Sequence, residues 1–131
     1  MGFLENFLKA QHSPLPMNWK VLEDEPQIDS LVETSFQKPV VVFKHSIHCG
    51  ISAMTKHQLE DNWDFSTEEL DFYYLDLINR RSVSNLVASR FGVVHQSPQI
   101  ILIHQGQAVY NESHHMISIK ALREALKEAV V

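Results

Sequence analysis

Residues 40–52 read VVVFKHSIHCGIS, and this stretch decides the fold. Val40 to Phe43 is an unbroken β-branched and aromatic run. Such runs mark a strand buried on both faces, at the centre of an α/β sheet. Pro39 stops any preceding helix. The strand should end at about Lys44 or His45, and a helix should begin at about Gly50, with Ile51, Met54, Gln58/Leu59 and Trp63 along its inner side. Cys49 therefore falls on a strand-to-helix turn.

Working outward, the same alternation continues in both directions. Trp19 to Leu22 is a short strand, and Glu25-Pro26 opens a helix over about Gln27–Phe36 with Ile28, Leu31 and Val32 at helical spacing. Downstream, Leu70–Leu77 (LDFYYLDL) is a strand. Arg81–Phe91 is a helix with Val83, Leu86, Val87 and Phe91 facing inward, and Gly92 ends it. Gln99–His104 is a strand, and Gln105-Gly106 turns it into a second strand over Ala108–Asn111, a hairpin. Ser118–Val130 is a last helix, with Ile119, Leu122, Leu126 and Val130 on one side. The order is β-α-β-α-β-α-β-β-α. Its alternating part requires parallel strands with crossover helices, and the hairpin adds an antiparallel edge to a mixed central sheet.

Composition narrows the function. The chain has 131 residues, a length that fits one domain, and 44% of them are apolar, enough for a proper core. The net charge is -5 and no Lys/Arg cluster occurs, which argues against nucleic acid and anionic membranes as partners. No apolar run approaches the roughly 20 residues of a membrane span. Met1–Gln11 holds Glu5 and lacks a basic n-region, so it is not read as a secretory signal. Its Phe3, Leu4, Phe7 and Leu8 predict a short amphipathic helix. With the Pro-broken linker Ser13–Pro16, this divides the chain into a helix and linker over 1–16 and a domain over 17–131. There is one cysteine, hence no internal disulfide, and a reducing, cytoplasmic location is expected.

Cys49 is the candidate reactive group. A sulfur at a helix N-terminus meets unpaired backbone N–H groups and the positive end of the macrodipole. Such thiols ionise more readily, and the thiolate is the nucleophile of disulfide exchange. His48, if protonated, adds to the effect, and the Ser52 hydroxyl can reach the sulfur or cap the helix. The competing reading is an inert, buried cysteine. Polar flanks and the place after a central strand, where open sheets carry their sites, weigh against it. Ser97-Pro98 precedes the Ile100–Ile103 strand. Pro98 is either a strand-opening residue or a cis-proline facing Cys49 that leaves the Ser97 backbone free for an extended substrate.

The layout resembles the thioredoxin superfamily. More narrowly, VVFKHSIHCGIS, YYLDLINRRSVSNLVASRFGV and HQSPQIILIHQG are together similar to the YtxJ family of monothiol bacilliredoxin-like proteins, over roughly residues 19 to 128. The resemblance implies a thioredoxin-like three-layer α/β sandwich, Cys49 as the redox thiol and Pro98 in the cis-proline place. It also implies removal of bacillithiol from S-thiolated cytoplasmic proteins. On that reading His48 and Ser52 assist Cys49, while Gly50, Lys44, Ser97 and Pro98 meet the substrate. No metal or bound cofactor is needed; bacillithiol is a co-substrate. The partners are S-thiolated proteins and the small thiol, and the chain acts as a monomer or weak dimer.

Ser52 excludes a C-x-x-C dithiol cycle. A monothiol glutaredoxin is a rival, since Cys49-Gly50-Ile51-Ser52 is near that family's CGFS, but NESHHMI at 111–117 lacks the Gly-Gly-x-Asp-like segment that grips glutathione. A zinc module would need His45, His48, Cys49 and His95 to converge. A non-catalytic adaptor is a further alternative. Trp19, Trp63, Phe43, Tyr73 and Tyr74 read as packing. Lys44 and Arg81 either attract an anionic thiol or lie on a solvated face. Asp76 is either a proton acceptor or a cap for the following helix.

Overall fold

The valine run becomes the middle of a sheet. The computed structural model describes residues 19–46 and 50–130. The expected N-terminal helix and residues 47–49 lie outside them. The described chain runs β1 (Trp19–Val21), α1 (Glu25–Thr34), β2 (Val40–His45), α2 (Gly50–Asn62), β3 (Asp71–Asp76), α3 (Arg81–Phe91), β4 (Gln99–His104) and β5 (Gln107–Ser113). A 3-10 turn (His114–Met116) and α4 (Ile119–Ala129) complete it. The strands lie in the order β1-β3-β2-β4-β5. β3 pairs parallel with both β1 and β2, and β4 pairs antiparallel with both β2 and β5. All residues of β2 are buried, as its composition requires.

Alternate side chains of the sheet feed two cores. On one face Val41, Phe43, Phe72, Ile100 and Leu102 pack with Leu59 of α2 and Leu122 and Leu126 of α4. On the other, Val40, Val42, Leu75, Ile101 and Ile103 pack with Ile28 and Leu31 of α1 and Val83 and Val87 of α3. Helices on both faces of a mixed sheet make the three layers expected. Trp19 and Trp63 join the first core, stacking on or edging against Phe72.

Local chemistry sets the element ends. α1 starts ahead of the expected Gln27 because Asp24 caps it. Gln27 N–H donates to Asp24 Oδ1 at 3.1 Å, and Asp24 N–H to Gln27 Oε1 at 3.1 Å, a capping box. α3 stops at Gly92, whose φ of 64° lies in the left-handed region. The β4–β5 turn has φ of 53° at Gln105 and 78° at Gly106, the positive pair that hairpins favour. Its amides are tied to the end of α1: Gln105 N–H reaches Ser35 O and Gly106 N–H reaches Ser35 Oγ, both at 2.9 Å. β5 runs on to Ser113, beyond the expected Asn111.

Candidate functional site

The candidate site is built at the carboxyl end of β2. Lys44 and His45 are its last two residues and must point to opposite faces. His45 turns toward α2, 3% exposed, with its ring centroid 5.5 Å from that of Tyr74 and 5.7 Å from that of Phe43. Its Nδ1 has no hydrogen-bond partner among the described residues. Burial, reinforced by Lys56, pushes its pKa down to about 4, so the ring is neutral at pH 7. Lys44 turns the other way and is fully buried, its Nζ 3.3 Å from His95 Nδ1. A solvated face for Lys44 is thereby ruled out. The convergence of His45 and His95 on a metal is also not found, because His95 stands on the Lys44 side of the sheet. Among the described residues no three His, Cys, Asp or Glu side chains form a metal group.

The strand-to-helix turn is closed by Ser52. Its Oγ accepts from Ser46 N–H at 3.1 Å, and the residue is fully buried. That bond ties the strand exit to the first turn of α2 across residues 47–49. Gly50 is the first residue of α2. His48 and Cys49, the preceding pair, lie outside the described residues. The inner face of α2 is Ser52, Thr55 and Leu59, while Ile51 and Met54 are 56% and 74% exposed. Of the expected stripe Leu59 and Trp63 face the core, but Ser52 and Thr55 take the inner places expected for Ile51 and Met54, because their hydroxyls are satisfied locally and so tolerate burial. Thr55 Oγ1 donates to Ile51 O at 3.0 Å.

The Ser97–Pro98 peptide is cis. Lys44 faces Gln99 across the antiparallel β2–β4 register, so Pro98 sits just past the pairing, at the same end of the sheet as the Ser46–Gly50 turn. Pro98 is buried, and its carbonyl accepts from His114 N–H at 3.0 Å. The Ser97 hydroxyl is buried and has no partner among the described residues. Arg81 is exposed as the first residue of α3. Asp76 closes the turn before α3: its Oδ1 accepts from Ile78 and Asn79 N–H at 3.1 and 3.3 Å. Ser84 and Gln99 around Lys44 escaped the sequence reading, which named His95 only as a possible metal ligand. The available signal was a lysine in phase with Val40 and Val42, on a face that otherwise reads apolar.

The model of the family described as monothiol bacilliredoxin BrxC matches residues 20–122. The chain belongs to that family. Solved structures agree with its fold. A thioredoxin-fold protein, a candidate oxidoreductase, is 30% identical, with a TM-score of 0.71 over 82% of this chain and 93% of that one. Thioredoxin Mala s 13 of Malassezia sympodialis is 18% identical, with a TM-score of 0.67 over 92% and 98%. Thioredoxin NaTrxh of Nicotiana alata is 20% identical, with a TM-score of 0.67 over 89% and 96%. Monothiol bacilliredoxin family and thioredoxin fold together place this chain among thiol-redox proteins. No helix of its described residues is long and apolar enough to cross a membrane.

The buried histidine gives this bacilliredoxin family member a pH signature. The unfolded chain protonates His45 below about pH 6.5, while the folded chain resists until near 4. Its contribution to stability is therefore full above pH 6.5 and lost as pH falls from there toward 4. Between pH 7 and 4.5 wild type should lose about 1–2 kcal/mol more than His45→Phe, allowing for partial access of water. Urea midpoints at both pH values check this; parallel losses in the two proteins would contradict it.

Proposed function

We propose that the chain removes bacillithiol, or a similar low-molecular-weight thiol, from S-thiolated cytoplasmic proteins through Cys49. The observation that carries this reading is positional. In the sequence the one cysteine of a monothiol bacilliredoxin family member immediately precedes the first residue of α2, and the exit of the central strand lies at the same sheet end as cis-Pro98. The amides of a helix N-terminus favour an anion there.

The chemistry is two exchanges. The Cys49 thiolate attacks the small-thiol sulfur of a protein mixed disulfide. That sulfur bonds to Cys49, and the protein sulfur leaves as thiolate. A second small thiol, or another protein's thiol, then attacks the adduct. It takes the small thiol into a new disulfide and returns Cys49 as thiolate. The net electrons come from that second thiol, so neither metal nor bound cofactor enters. His48 would supply positive charge beside the sulfur. Gly50 and the Ser97 backbone would receive the extended chain around the modified cysteine, with the Ser52–Ser46 bond holding the turn. The reading implies a monomer or weak dimer working in the reducing cytoplasm.

The test offers one peptide carrying, in turn, bacillithiol, coenzyme A and glutathione as mixed disulfides. Mass spectrometry should find the bacillithiol adduct on Cys49 fastest. No adduct from any of the three would overturn the reading.

A further inference from the structure

Lys44 continues the apolar face of Val40 and Val42, yet ends in an ammonium under the carboxyl edge of the sheet. No carboxylate of the described residues pairs with it. Its partner is His95 Nδ1, at 3.3 Å. An ammonium has donors and no acceptor, so Nδ1 must accept and the ring proton must sit on Nε2. Oγ of the fully buried Ser84, on α3, stands 3.5 Å from the same nitrogen.

A second observation points to the same segment. Gln99, the cross-strand neighbour of Lys44, is 1% exposed and reaches Val94 and Gln96 from the same face of the sheet. Its Nε2 donates to Val94 O at 3.0 Å, and its Oε1 accepts from Gln96 N–H at 3.4 Å. Two buried polar side chains, paired across β2 and β4, thus reach the loop that leads into Ser97 and cis-Pro98. Buried polar groups cost stability unless bonded, so both side chains hold the loop in one place.

We propose that Lys44 is a positioning residue of the exchange site. Through His95 it anchors the 93–97 loop, fixes the Nε2–H tautomer of that ring, and so sets where the Ser97 backbone meets a disulfide substrate. The proposal rests on the thiol-exchange reading above. Burial also brings the Lys44 pKa down to about 8 and lowers that of His95, which keeps the pair an ammonium facing a neutral ring at pH 7. Lys44 therefore acts from inside the fold, not as a surface cation drawing in an anionic thiol.

The first measurement needs no variant: ¹⁵N correlation of the His95 ring in the wild-type chain. The Nε2–H tautomer is expected, and Nδ1–H would overturn the proposal. The second compares Lys44→Met, which keeps the stem and removes the donor. Amide exchange at residues 94–97 should quicken about 10-fold or more, since local opening governs it. The kcat/KM for a mixed-disulfide peptide should fall about 10-fold, while alkylation of Cys49 by iodoacetamide stays within about twofold, because the loop positions substrate and not the thiol. Unchanged loop exchange in a folded Lys44→Met would overturn the proposal. A wild-type chain without exchange activity would overturn the reading of the site, while the tautomer and amide data would still uphold or overturn the anchoring of the loop.

Discussion

Cys49→Ser is expected to abolish small-thiol transfer, lowering the rate about 10³-fold or more, to the level of buffer, while the folded state survives. The expectation follows from electron bookkeeping. Sulfur–sulfur exchange needs a nucleophile that is anionic near neutral pH and forms a disulfide, and a serine hydroxyl does neither. The sequence holds no other cysteine to take over. Stability should be little changed, because one small side chain replaces another just before α2, where serine is favoured as a helix cap. Mass spectrometry of the adduct and a thermal melt check the two halves separately. A variant that transfers the thiol at the wild-type rate would end the assignment.

Phe72→Ala should cost the fold about 3–5 kcal/mol, a large share of the 5–15 kcal/mol that holds a typical domain together. Phe72 is fully buried on β3. Its ring stacks on Trp19 with centroids 4.0 Å apart and meets Trp63 edge-on at 4.6 Å. Neither indole N–H has a partner among the described residues, so packing and not hydrogen bonding holds the cluster there. A hole at its centre cannot close easily, because Trp19 is pinned by the β1–β3 pairing and Trp63 follows the end of α2. Met54→Ala, on the exposed side of α2, is the matched control and should stay within about 0.5 kcal/mol. Urea titrations followed by tryptophan fluorescence read both. A Phe72→Ala loss below about 1 kcal/mol would show that the cluster repacks.

The element order was legible because each signal is local. Val40–Phe43 can only be a buried strand between Pro39 and a polar exit. Gly92 ends α3 by its own conformational freedom, and Gln105-Gly106 turns β4 back on β5. The face of α2 was not legible. The stripe of Ile51 and Met54 is apolar at helical spacing, yet the helix presents Ser52 and Thr55 inward, where Ser46 N–H and Ile51 O satisfy them. A burial preference set by hydrogen bonds leaves no mark in hydropathy. The end of β2 and the start of α2, on either side of Cys49 in the sequence, were readable for the same local reason. The environment of Lys44 was not, since His95 lies 51 positions away in sequence and reaches it only through the β2–β4 register. A lysine after an apolar run reads as a strand leaving the core, and only tertiary structure shows it still inside.

The middle position of β2 has a cost during synthesis. One flank of the strand is covered by β3, but the other waits for β4, which the ribosome delivers only after α3 is complete. Until then the nascent chain displays a valine-rich edge with free amides and carbonyls, the template on which chains stick to one another. Any break in translation between α3 and β4 leaves a polypeptide that carries the cysteine but is prone to clump.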